Sequence, residues 1–209
     1  MSINGKDISD CIQFLKNVYV ESATVLRTTE DLLSKNRWII PTSSSVVHRN
    51  TSNSIEHPEY WMPRYIYRYF SKRKTSITEV LGITIAYDWD FNEVNFNEPM
   101  VCCSRIKFKE EVKDCKAAWF VLGGFRKYCK EITYHSANLY IDSVISDKSV
   151  GYDSLIENGN ASGFYIPLVD INNSQAVENY IVKPLIKLSE EQYEECNNMI
   201  KDKAIKMIG

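Results

Sequence analysis

Most of the short signatures that announce a chemistry are missing from these 209 residues. Only eight glycines occur, and none of them builds a phosphate loop, a dinucleotide fingerprint or a Gly-x-Ser-x-Gly elbow. That excludes the familiar nucleotide-cradling and serine-hydrolase motifs. Histidine occurs three times, at 48, 57 and 135. None of the three has a cysteine at ligand spacing, so no structural zinc and no cofactor is expected. No run of about 18 uncharged apolar residues is present, which leaves nothing to cross a membrane as a helix. The segment Met1 to Asp10 has neither the basic nor the apolar part of a signal peptide, so the chain is expected to be soluble and cytoplasmic. The six cysteines at 11, 102, 103, 115, 129 and 196 lack the dense spacing of a secreted scaffold and read as thiols.

An excess of charge of one sign is missing too. A net charge of −2 argues against a surface given over to phosphates, so nucleic acid is not the favoured partner. The charges are nonetheless unevenly spread. Residues 58–130 carry 13 Lys or Arg against 9 Asp or Glu, whereas residues 142–196 carry 3 against 10. This predicts a basic side and an acidic side.

What is present is a core: 44% of residues are hydrophobic and 12% aromatic, enough for one domain spanning 1–209 without disulfide or metal. From Asp7 to Lys35, Ile8, Ile12, Leu15, Tyr19, Leu26 and Leu33 recur at spacings of three, four or seven, the mark of one long amphipathic helix, or of two divided near Thr28–Asp31. Ser22 and Thr29 fall on the same stripe. Packing against the protein's own sheet is the expected use of this stripe, and a coiled-coil homodimer is the alternative. Trp38–Ile40 reads as a short strand. The polar stretch of about 42–57 reads as a mobile loop.

Trp61, Met62, Tyr65, Ile66, Tyr69 and Phe70 come as adjacent pairs every four residues, which predicts a helix over about 59–72 with Pro63 in its first turn. Period-two alternation predicts a strand at 79–87, with Val80, Gly82, Thr84 and Ala86 forming a small face fit to lie under a helix. A second strand is expected at 100–108, antiparallel to it, with Val101, Cys103, Arg105 and Lys107 on one face. Ala117–Leu122 is a further strand or the end of a helix, Ile132–Ile141 alternates as a strand, and Pro167 confines the strand at 164–171 to an edge or bulge. Two helices close the chain, the last entered through a capping box at Ser189 and Gln192. The expected fold is α+β: a mainly antiparallel sheet of about five strands, packed by the long N-terminal helix and the C-terminal helices.

Three places can carry chemistry. Asp88, Asp90 and Asn92 begin like a calcium loop, but Glu93 stands where glycine is required and Pro99 where the closing glutamate belongs. Asp88 or Asp90 with Glu111 and Lys113 can be written as the carboxylates and lysine of a metal-dependent nuclease. Arg64 and Arg68, one turn apart on the outer face of the expected aromatic helix, can grip an anion bidentately beside Tyr67, with Arg105 and Lys107 extending the patch. The reading that follows is a non-catalytic binding or interaction protein, its partner an anionic small molecule, a nucleotide or another protein. The alternatives are a metal-dependent enzyme acting on nucleic acid or nucleotides, and a homo-oligomeric assembly component.

Overall fold

The structure, a computed structural model, describes residues 4–41, 48–50, 55–56, 61–87, 98–112, 129–145 and 159–207. A helix at the start, a strand-rich middle and helices at the end form an α+β fold. The order is α1 (Gly5–Lys35), β1 (His48–Asn50), β2 (Tyr65–Phe70), β3 (Ile77–Ala86), β4 (Met100–Val112), β5 (Cys129–Ser136), β6 (Leu139–Ile145), β7 (Gly159–Pro167), then α2 (Ser174–Val177), a π turn (Glu178–Val182), α3 (Lys183–Ser189) and α4 (Tyr193–Ile200). The described strands make the expected antiparallel sheet, with seven strands in the order β1-β2-β3-β4-β7-β6-β5, and every described pairing is antiparallel.

The expected helix over 59–72 is a strand. Tyr65, Tyr67 and Tyr69 lie on one face of the sheet, and Ile66, Arg68 and Phe70 on the other. Both faces are buried here, so the strand reads as an almost unbroken apolar run, and its aromatic pairs match a helical stripe and a two-sided strand equally well. Aromatic side chains favour the strand. Trp61 and Met62, placed in the expected stripe, lie exposed ahead of β2.

Alternation on β3 and β4 is as expected, as is their antiparallel pairing. The cover is reversed. Leu81, Ile83, Ile85, Val101 and Cys103 lie under the helices with Leu26, Leu33, Ile181, Leu185 and Leu188. The small side of β3, Val80 and Ala86, belongs to a second core built on Tyr65, Tyr67, Tyr69, Tyr140 and Tyr165. A helix can cover large residues by interdigitating with them, and the small ones leave room for the tyrosine rings. Residues 132–141, expected as a single strand, turn at 137–138 and belong to the β5–β6 hairpin. Strand β7 is interior, between β4 and β6; Pro167 is tolerated because it is the last residue of the strand. Ile39 forms one bridge with Ser71, through two bonds of 2.8 Å, in place of the expected strand.

Helix α1 is continuous through Thr28–Asp31. Asn4 caps it, accepting from the Lys6 and Asp7 amides, while the Asn4 amide donates to the Asp7 carboxylate at 3.3 Å. Near the C-terminus the helix widens ahead of Pro184 into the π turn, where the Lys183 amide donates to the Glu178 carbonyl five residues back. Proline has no N–H and crowds the turn before it, and the widened turn makes room. The expected capping box does not form: Ser189 ends α3 and donates to the Ile186 carbonyl, and Gln192 precedes α4 without a side-chain cap. The tail is tied back to the sheet by Ile205 N–H to Tyr165 O at 2.9 Å and Met207 N–H to Ala137 O at 2.6 Å. The segments 88–92 and 117–122 and most of the stretch 42–57 lie outside the described residues; within that last stretch His48–Asn50 pairs with β2.

One glycine shows how tightly β4 and β7 meet. A Cβ on Gly163 would lie 2.5 Å from the Cys103 carbonyl oxygen and 2.6 Å from the Tyr140 hydroxyl. The first of these is backbone in the middle of the sheet and cannot move aside. Gly163→Ala is expected to lose about 3 kcal/mol or more of stability in a denaturant melt. Gly5→Ala, where the added carbon meets nothing within 4 Å, should leave stability equal or slightly higher.

Candidate functional site

The expected anion patch is taken apart by the sheet. With 65–70 a strand, Tyr67 and Arg68 point to opposite faces. Tyr67 is buried in the tyrosine core, 6.4 Å from the Tyr65 ring and 6.5 Å from the Tyr69 ring. Arg68 lies under α1, in an ion pair with Glu30. Arg64 precedes β2, and its carbonyl accepts from the Tyr87 amide at 2.8 Å. Arg105 is also buried, and lies across β3 from Phe70 rather than from Arg68. Two strand spacings and two residues along the strand separate the two arginines by roughly 12 Å.

Arg105 and Lys107 do converge, on carboxylates already in place. Arg105 Nε donates to Glu79 at 2.5 Å and its Nη2 to Glu191 at 3.2 Å, while Lys107 Nζ donates to the same Glu191 oxygen at 2.6 Å. Burial opposes the charge on Arg105, and Glu79 and Glu191 more than offset it, leaving its pKa raised. The Glu191 carboxyl is held below its ordinary value, first by the hydrogen bond from Lys107 and then by that from Arg105. Glu191 also has a positive φ of 60°, in the turn between α3 and α4. A left-handed glutamate costs of order 1 kcal/mol, and the two cations hold its side chain there. These pairs link the basic middle of the chain to its acidic end and fasten helix to sheet: α1 through Glu30, and the α3–α4 turn through Glu191. Glu30, Glu79 and Glu191 carry no motif; only contact in space marks them as partners.

The other polar candidates are similarly occupied. A cleft of about 400 Å³ at the β2–β3 turn is lined by Lys72, Arg73, Thr78, Glu79 and Glu111. Lys72 lies 5.0 Å from the Trp38 ring centre and Arg73 is 3.6 Å from Glu111. Glu111, named above for a nuclease, thus faces a cation, while Asp88, Asp90 and Lys113 are outside the described residues. His135 meets Glu194 at 3.1 Å. Among the described residues no three His, Cys, Asp or Glu side chains are placed to hold a metal ion. Burial pushes the thiols of Cys102 and Cys103 well up and that of Cys196 up to about 12, so these three are unreactive at neutral pH.

The remaining feature is α1. Its second half is packed: Ser22, Val25, Leu26, Thr29 and Leu33 are buried. The two polar members of the stripe enter the core by donating to their own helix, Ser22 Oγ to the Val18 carbonyl and Thr29 Oγ1 to that of Val25, both at 2.8 Å. Packing against the body begins near Tyr19, whose ring meets Tyr87 edge-on at 5.4 Å. Ahead of it the helix overhangs the end of the sheet. Every residue from Asn4 to Phe14 is exposed, including Ile8 at 51%, Ile12 at 49% and Phe14 at 67%. The stripe continues without a break from the packed half into the free one.

The buried ion pairs are expected to be sensitive to loss of one partner. Glu79→Gln leaves the Arg105 guanidinium, 5% exposed, without its nearest counter-charge, and should cost about 3 kcal/mol, or roughly 6–12 °C in Tm. The Glu191 pairing is present above the unfolded carboxyl value near 4.5 and is lost as pH falls through the depressed folded value. The Tm difference between wild type and Glu191→Gln, measured from pH 7 to pH 2.5, should therefore be constant above about pH 4.5 and narrow progressively as the pH falls below it. Set beside models of known protein families, curated proteins and solved structures, the chain matches none of them.

Proposed function

We propose that this is a non-catalytic interaction protein whose binding surface is the free first half of α1. The observation that carries the reading is the unbroken stripe: the positions that bury Leu26 and Leu33 in the core recur as Ile8, Ile12 and Leu15, and of these Ile8 and Ile12 are exposed. A contiguous exposed apolar face of this kind marks a docking site. Its physical state points the same way. An isolated helix of about 15 residues is marginal in water, and most helical stability comes from a packed face. The overhang has a capped start and a rooted end but no packed face of its own, and a partner would supply one. Lys6, Asp7, Asp10 and Lys16 mix both signs along the exposed residues, which suits a protein partner better than an anionic lipid surface.

The arginines contribute indirectly in this reading, by holding α1 and the C-terminal helices in position rather than by gripping a ligand. Cys102, Cys103 and Cys196 are buried and Cys11 is exposed, and the reading keeps all four as thiols, as in a reducing compartment such as the cytoplasm.

Immobilised wild-type protein and an Ile8→Glu/Ile12→Glu variant, exposed to the same native extract, test the proposal. Retention of a partner by wild type and its loss on the variant is the expected result, with Tm changed by no more than about 2 °C because both side chains are half exposed. Identical capture by the two proteins would end the reading.

A further inference from the structure

Resting on that reading, we infer that the free half of α1 pairs antiparallel with the same segment of a second copy of this chain. Numbered as a heptad, Ile12 and Tyr19 are a positions, Ile8 and Leu15 are d positions, and Cys11 and Val18 flank them at g. The same line of positions, continued to Ser22, Leu26, Thr29 and Leu33, faces the protein's own body. A partner helix on the free half therefore lies on the same side of α1 as that body. A parallel copy would run directly into it after Tyr19. An antiparallel copy places its own first residues at the body's edge and carries its body away beyond Asn4, so the two bodies sit at opposite ends of the paired helices.

The stripe suits this arrangement. With Ile12 opposite Leu15 of the second copy, Ile8 falls opposite Tyr19, and the two-fold repeats both contacts. The result is four apolar layers with no charged residue among them, the outer two closing at the body's edge, where Tyr19 also meets Tyr87. At the flanks Cys11 comes opposite Val18, and Lys16 opposite Ser9, so no like charges meet. The overlap from Ile8 to Tyr19 is about 18 Å long. A contact so short buries less than the roughly 1,200 Å² of a standard interface, which predicts a reversible dimer that dissociates in the micromolar range.

Sedimentation of the full chain from about 1 to 200 µM tests the pairing. A monomer–dimer equilibrium that Ile8→Glu/Ile12→Glu abolishes, with the helical circular dichroism signal and Tm retained, is the expected result. A monomer throughout, or a dimer that the variant leaves intact, overturns the inference; differential capture of another protein by wild type would then still support the docking surface itself, so the two failures are distinguishable. Direction is read from Val18→Cys in the presence of the native Cys11, an exposed thiol. Mild oxidation and peptide mapping should yield a bridge from residue 11 to residue 18 across the dimer, lost when Cys11→Ser is added. Bridges joining 11 to 11 or 18 to 18 would mean parallel helices and would overturn the antiparallel pairing.

Discussion

The ladder of β3, β4 and β7 is the frame on which the rest depends. Nine paired positions join β4 to β7, from Met100 opposite Pro167 to Phe108 opposite Gly159, and the approach is close enough that Gly163 has no room for a side chain. These strands are apolar on both faces, so the sheet must be covered twice. Alternation along β4 assigns Val101 and Cys103 to one core, and Met100, Cys102, Ile106 and Phe108 to the other. One face takes the helices. The other gathers five tyrosines around small residues of the sheet, and the tail closes on it through Ile205 and Met207.

Helix placement on that frame combines apolar contact with a few buried charges. Leu26 and Leu33 contribute the area, while Glu30 with Arg68 and Glu191 with Arg105 and Lys107 set where the helices sit. Pairs of this kind add little net stability over apolar residues of the same size, but breaking one strands a buried charge. Their consequence is registry: Glu30 reaches Arg68 at one position of α1 along β2, and that position leaves the first half of the helix beyond the end of the sheet. The overhang follows from where α1 is anchored.

Much of this architecture is legible in the residues themselves. The spacing of Ile8, Ile12, Leu15, Tyr19, Leu26 and Leu33 specifies a helix, because only a period near 3.6 brings them to one side. Alternation along 79–87 and 100–108 specifies two strands and their antiparallel pairing. The segment 65–70 is illegible for a definite reason: with both faces buried, polar residues no longer alternate, and the one local cue that separates helix from strand disappears. The same ambiguity put Arg64, Tyr67 and Arg68 on an outer helical face, when strand geometry divides Tyr67 from Arg68 and Glu30 already pairs with Arg68.

The sequence by itself determined that a long amphipathic helix precedes a mainly antiparallel sheet and that helices follow, because local periodicity and propensity act over a few residues. Only the tertiary structure decided which face of β3 lies under those helices, which glutamates meet Arg68 and Arg105, and that the α1 stripe is buried from Ser22 onward while Ile8 and Ile12 are exposed. Those outcomes depend on contacts between residues tens of positions apart, 38 in the case of Glu30 and Arg68, and no local pattern records a distance of that kind.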